Sequence, residues 1–240
     1  MRHLVILPYV PPAFDSLDTV GLALRSIRRF FPEEYRVSAV GHKPEDVDDD
    51  DNVKWIELPE RGSSPHTDMV RRILFALQQD AKMPDEFILW HDDMMAVREF
   101  TMEELRQPRA TSSVILSSEG SDNYYLNDMH YTLEELRKEG ITYIYNYTIH
   151  CPVVYDTRKF MELVERFDLT GRGLDFEMLY FNEQCRNPQV FDDGGNGWRM
   201  MMDDLRKPAF DRVTFIGLNN RFNNREYLDD LARWIDDGAL

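Results

Sequence analysis

Apolar positions along this chain follow two rhythms that alternate with each other. HLVIL (3–7) is a short continuous apolar run that stops at Pro8, as expected of a strand buried on both faces. DSLDTVGLALRSIRRFF follows, with Val20, Leu24, Ile27 and Phe31 at helical spacing. Asp15, Ser16 or Asp18 can cap that helix and Pro32 ends it. YRVSAV (35–40) is a second strand, closed by Gly41-His42-Lys43-Pro44. A β-α-β unit of this kind predicts parallel strands joined by a right-handed crossover. DVDDDDN (46–52) is a charged loop and VKWIEL (53–58) alternates like a third strand. DMVRRILFALQQD (68–80) reads as a helix with Met69, Ile73 and Leu77 inward, and residues 86–90 form the next strand.

The second half is more mixed. Thr101 to Leu105 starts a short helix, SSVILSS (112–118) reads as a strand, and 119–131 as a polar, aromatic loop. YTLEELRKEG is a helix closed by Gly140, and ITYIYNYTIHCPVVY (141–155) is β-rich. DTRKFMELVERF places Phe160, Leu163, Val164 and Phe167 on one helical face, and GLDFEMLYFNEQC reads as a further amphipathic helix. VTFIGLNN is a late strand and REYLDDLARWI a last helix. The pattern predicts one α/β domain over 1–240, a Rossmann-like, mostly parallel sheet flanked by helices, with an antiparallel elaboration in the C-terminal half.

Composition narrows the classes. The 240 residues suffice for a substantial core, and 42% apolar with 12% aromatic residues exclude a disordered chain. The 44 acidic against 28 basic residues give a formal charge of −16, which excludes a broad phosphate-backbone footprint but not a local pocket for one nucleotide. Two cysteines make neither a disulfide framework nor a zinc cluster, and a reducing cytoplasm is the expected setting. No run approaches the roughly 18 uninterrupted apolar residues of a membrane span.

Candidate chemistry concentrates in EFILWHDDMMAV (86–97), where an apolar strand runs into His91-Asp92-Asp93. Burying carboxylates is costly unless a cation or several donors meet them. Ligands in open α/β sheets bind at the carboxyl ends of the strands, so the two acids either hold a hard divalent cation, Mg²⁺ or Mn²⁺, or cap the following turn and meet water. Strand alternation points His91 to the side opposite Asp92.

The same segment resembles the metal motif of nucleotide-diphospho-sugar transferases of the GT-A fold, and in detail it is similar to the FIYFNDDMFL-like motif of the Stealth sugar-phosphate transferases. GLALRSIRRFFPEEYRVSAVGHKP, NYTIHCPVVYDTRKFMELVERF and VTFIGLNNRF resemble further segments of the Stealth family, in the same order; the Asp of its late strand is Asn219 or Asn220 here. The resemblance implies a single GT-A-like domain, with a donor half over 1–97 and an acceptor half over 98–240. It implies a nucleotide-sugar donor, bound with Mn²⁺ or Mg²⁺ on Asp92 and Asp93. Pro8, Tyr9, Val10, Asp68, Arg71, Arg72 and Asp92 are then the donor contacts. Residue chemistry leaves alternatives at several of these: Tyr9 stacks on a base or packs in the core, and Asp68 or Thr67 caps its helix. Asp175 and Glu177 in GLDFE are candidates for a base that activates the acceptor hydroxyl, or for acids that favour the helix N-terminus. His150 before Cys151-Pro152 is a candidate catalytic or substrate-binding residue. Asn219, Asn220 and Arg221 approach the donor from the last strand, and Tyr124, Tyr125, Tyr131, Tyr145 and Tyr147 offer a sugar platform.

The expected function is metal-dependent glycosyl transfer to an acceptor hydroxyl. Glycans, polymer precursors and a modified base of phage DNA are the acceptor classes, the last requiring a basic patch around Arg25, Arg28, Arg29, Arg71 and Arg72. Sugar-1-phosphate transfer and non-catalytic binding of a nucleotide-sugar are the rivals. Oligomeric state is left open.

Overall fold

The computed structural model describes residues 2–11, 19–58, 63–80, 82–111, 124–190, 197–202, 210–218, 222 and 224–238. The expected strand over 112–118, the capping candidates Asp15, Ser16 and Asp18, the side chains of Tyr124 and Tyr125, and Asn219, Asn220 and Arg221 lie outside the described residues.

The chain runs β1 (His3–Pro8), α1 (Val20–Phe30), β2 (Tyr35–Val40), β3 (Val53–Ile56), α2 (Pro65–Gln78), β4 (Glu86–Leu89), β5 (Met94–Ala96), α3 (Met102–Leu105), β6 (Arg109–Ala110) and α4 (Tyr124–Lys138). It continues through β7 (Val153–Asp156), α5 (Thr157–Phe167), α6 (Phe176–Gln184), β8 (Gln189–Val190), β9 (Arg199–Met202), β10 (Phe215–Leu218) and α7 (Arg225–Asp237). The central sheet has five strands in the order β3-β2-β1-β4-β7, parallel except for β7, which runs antiparallel to β4. A second sheet has the order β5-β10-β9, with β5 antiparallel to β10. The architecture is the expected Rossmann-like α/β domain with an antiparallel elaboration.

Strand alternation divides the core between the two faces of the sheet. Leu4 and Ile6 of β1 and Phe87 and Leu89 of β4 pack in one apolar cluster with α2, α5 and α6 residues. Val5, Leu7, Ile88 and Trp90 pack in another with Val20, Leu24 and Ile27 of α1. Each fully buried side chain of this size contributes about 1.5–3 kcal/mol by leaving water. Both faces of β1 and β4 are therefore apolar, which is why these strands read as continuous runs rather than alternating ones.

Three elements differ from the sequence pattern. The helix expected from Asp68 begins at Pro65, because Ser64 caps it: the Ser64 side chain and Thr67 bond each other's backbone amides in a capping box. Neither Thr67 nor Asp68 is the cap. The segment 141–152 is not a strand, apart from an isolated bridge between Thr111 and Asn146. Its alternating aromatic residues pack on α6 instead: Asn182 bonds both the amide and the carbonyl of Tyr145, and Tyr147 lies against Phe181. Helix α6 is not amphipathic; every residue from Phe176 to Asn182 is buried, since α4, α5 and this segment enclose it.

Among the described residues no helix is long and apolar enough to cross a membrane. Cys151 and Cys185 are both free thiols.

Candidate functional site

The order of strands fixes where a site can form. From β1 the chain steps outward to β2 and β3, then returns through α2 to β4 on the other side of β1. The crossovers thus diverge between β1 and β4, leaving a crevice at their carboxyl ends. A cleft of roughly 430 Å³ opens there, lined by Pro8 and Val10 past β1, Ser63, Ser64, Pro65, Asp68, Met69 and Arg72 at the start of α2, and Asp92 past β4.

Five of the expected donor residues therefore share one cavity wall: Pro8, Val10, Asp68, Arg72 and Asp92. Arg72 is buried and partly committed to the fold, with Nε donating to Asp68 at 2.8 Å and Nη1 donating to the carbonyls of Val40 and Leu58. It thereby ties α2 to the ends of β2 and β3 and fixes the Asp68 carboxylate at the cleft. Tyr9 and Arg71 are not in the lining. Tyr9 is 2% exposed and lies edge-on to Trp55, so it packs in the core instead of presenting a ring to a base. Arg71 sits about 100° around the helix from Arg72 and is not among the residues that line the cleft.

Past β4, the bonds of a tight turn hold His91 to Asp93. Trp90 continues the ladder to Ile6, Met94 N donates to the His91 carbonyl, and Trp90 Nε1 donates to the Met94 carbonyl. Thr19 Oγ1 and Leu218 N hold the carbonyls of Asp92 and Asp93 from outside. The turn, not strand alternation, brings His91 and Asp93 together, since β4 ends at Leu89. His150 completes the group from the 141–152 segment: its ring stacks on His91 at 4.6 Å, and its Nδ1 lies 3.7 Å from Asp93 Oδ2.

Asp93 of the expected pair Asp92–Asp93 groups with His91 and His150, one potential ligand atom from each lying within 4.8 Å of the others, a set that could hold a metal ion. Asp92 faces the cleft instead. Three buried atoms in this group, His91 Nε2, Asp93 Oδ1 and His150 Nδ1, have no hydrogen-bond partner. Native proteins rarely leave such atoms unmet, and the three side chains lie close enough together to hold a cation. Two imidazoles and a carboxylate suit a first-row transition ion such as Mn²⁺ better than Mg²⁺, which prefers an all-oxygen shell. Burial alone would raise Asp93, but the His150 and His91 imidazoles beside it hold it below the usual carboxylate range. Glu177 stands next to the group, with Oε1 3.9 Å from His91 Nε2.

A second histidine–carboxylate cluster lies behind the first, and the sequence reading contains only one of its members, Asp175. His66, in the first turn of α2, bonds Asp128 of α4 through Nδ1 at 2.8 Å and pairs with Asp175 through Nε2 at 3.6 Å. Asp175 is fully buried and caps α6, accepting from Met178 N at 2.9 Å. Its other oxygen accepts from the Thr148 hydroxyl, and its amide donates to Thr132 Oγ1 at 2.7 Å. Burial would lower His66, yet the two carboxylates outweigh it and raise it to about 10, so the imidazole is a cation. Burial would likewise raise Asp175, and His66 holds it low. An acid so enclosed and so fully bonded positions a helix rather than accepting a substrate proton. Of the two candidate bases, Glu177 alone adjoins the metal group. His66 and Asp128 lie 62 residues apart in sequence, and no local pattern links them.

The arginine patch required for a nucleic-acid acceptor does not form as a free surface: Arg25 pairs with Asp236, Arg28 with Asp50 and Arg72 with Asp68. Tyr131 and Tyr143 are exposed, whereas Tyr147 is buried with its hydroxyl bonded to the Cys185 carbonyl. No known protein family's sequence profile matches the chain, and no curated protein is significantly similar to it.

Proposed function

We propose that the chain is a metal-dependent glycosyltransferase of the GT-A type, which moves a sugar from a nucleotide-sugar to an acceptor hydroxyl. The observation that carries this reading is the position of the cleft at the strand-order switch point, with Asp92 on its wall and His91, Asp93 and His150 around the adjoining turn. Pro8, Val10 and Met69 provide apolar surface for the base and ribose, and Asp68 and Asp92 accept hydrogen bonds from ribose or sugar hydroxyls. His91, Asp93 and His150 hold Mn²⁺, which when bound neutralises charge on the departing diphosphate. Glu177 accepts the proton of the acceptor hydroxyl, and His150, whose ring is partly exposed, faces the acceptor side.

The test is a thermal-shift screen of UDP-, GDP-, CDP- and ADP-sugars with and without Mn²⁺. A donor at a hundred times its Kd stabilises the folded chain by about 2.7 kcal/mol, which raises Tm by several degrees. The reading fails if no nucleotide-sugar raises Tm. With a donor found, release of a nucleoside diphosphate supports glycosyl transfer, release of a monophosphate replaces it with sugar-1-phosphate transfer, and binding without turnover leaves a nucleotide-sugar binder.

A further inference from the structure

His150 adopts a backbone conformation that a histidine rarely takes, with φ +47° in the left-handed region. Such a conformation is strained for a residue with a Cβ and persists only where neighbouring bonds dictate it. The bonds are identifiable. Thr148 N donates to Asn146 Oδ1, Ile149 N donates to the Tyr147 carbonyl, and Asn146 exchanges both backbone bonds with Thr111. The Thr148 hydroxyl is the point at which this turn is tied to the helices, through Asp175. Asp175 is held in turn by its own α6 amide, by Thr132 and by His66. His66 is rooted in the same first turn of α2 whose residues Ser64, Pro65 and Asp68 line the cleft. A continuous set of bonds thus runs from the cleft wall, through His66, Asp175 and Thr148, to a residue two positions from the third member of the metal group.

We propose that Thr148 and Asp175, with His66 behind them, are positioning residues that set the His150 imidazole in place for a metal ion. They also make the donor cleft and the metal group one mechanical unit. The proposal rests on the metal reading above, but concerns different side chains: none of the three touches the ion. Thr148 acts as outer-shell partners of metal ligands act elsewhere, except that it fixes the ligand's backbone rather than its ring.

Co²⁺ and Mn²⁺, each titrated alone, provide the test. The parent chain should bind Co²⁺ and develop visible ligand-field absorption. Thr148→Val, which keeps the side-chain shape and removes the hydroxyl, should bind it roughly 10–100-fold more weakly with altered absorption. Thr148→Ser should restore both. Parent affinity and absorption in Thr148→Val overturn the positioning role while leaving the metal reading intact. Failure of the parent to bind either ion overturns both. A measurement on the parent alone keeps the question decidable if Thr148→Val does not fold. Coupling is reciprocal, so bound Mn²⁺ should slow amide hydrogen exchange at Thr148 and Met178, and unchanged exchange at these amides refutes the linkage.

Discussion

Two buried histidine–carboxylate clusters lie on either side of the Asp175–Glu177 turn, built of the same residue types, and they differ in satisfaction. Around His66 each carboxylate has a donor and the imidazole has an acid at each nitrogen. Around His91 and His150 the rings stack on each other, the carboxylates of Asp93 and Glu177 stand at 3.7 and 3.9 Å, and three buried polar atoms have no hydrogen bond. A satisfied buried ion pair needs no further ligand and locks three helices together. An unsatisfied one carries a desolvation cost that a cation would remove. The chemistry of the side chains alone does not tell the two clusters apart; the number of buried polar atoms without a hydrogen bond does.

Removing one partner from the satisfied cluster should have the largest effect. His66→Leu leaves Asp128 and Asp175 facing each other without a cation and should destabilise the chain by about 3–5 kcal/mol in denaturant unfolding. An equally stable variant would show that the cluster contributes nothing. In the other cluster, Asp93→Asn should weaken Mn²⁺ binding roughly 100-fold or more and cost the metal-free chain a smaller amount of stability, because the His91 and His150 imidazoles lose the carboxylate beside them. Calorimetric titration reads the first effect and urea midpoints the second. Loss of stability without loss of ion binding would make this cluster structural too.

The clusters also differ in their response to pH. His66 is raised from its ordinary 6.5 to about 10, so its contribution is complete below pH 6.5 and disappears as pH rises through 10. The stability gap between the parent chain and His66→Gln should narrow by a few kcal/mol over that window. A gap that is constant from pH 6.5 to 10 means a neutral imidazole. A smaller effect tests the packing of the satisfied cluster. A Cβ at Gly173 would lie 2.1 Å from Asp128 Oδ1, so Gly173→Ala should push that carboxylate off His66 and cost about 1–3 kcal/mol. The smallest effect on stability belongs to the cleft. Asp92→Asn should shift the unfolding midpoint by less than about 0.5 kcal/mol and leave Mn²⁺ affinity unchanged, yet weaken nucleotide-sugar binding. Loss of Mn²⁺ binding in Asp92→Asn would return the metal to the Asp92–Asp93 pair.

What could be read from the sequence followed the range of the interactions. β1, α1, β2 and α5 were legible because their apolar spacing is set by contacts every two or every three to four residues. The place of the candidate site was legible for the same reason, since the apolar run of β4 ends at the acids, and Asp92 lies at the cleft past its carboxyl end. The ligand set was not fully legible. His91 comes beside Asp93 through the turn after β4, and His150 reaches them only because 141–152 leaves the sheet. That segment has the aromatic and β-branched content of a strand, and its residues Tyr145 and Tyr147 are claimed by α6 instead. The His66 cluster joins residues from three distant stretches, and its only local sign was Ser64-Pro65 ahead of the histidine, a helix start.

One edge of the central sheet bears on how the chain behaves in solution. Among the described residues β3 borders β2 alone, and its four residues include exposed Lys54. The acidic stretch Asp46 to Asp51 leads directly into it. A strand from a second molecule arriving there in parallel register would bring its own acidic stretch alongside, and like charges at that spacing repel. The run that looked like a mere loop thus guards an open row of amides and carbonyls against fibre-like growth. That protection should weaken in high salt, which screens the repulsion between the two acidic stretches.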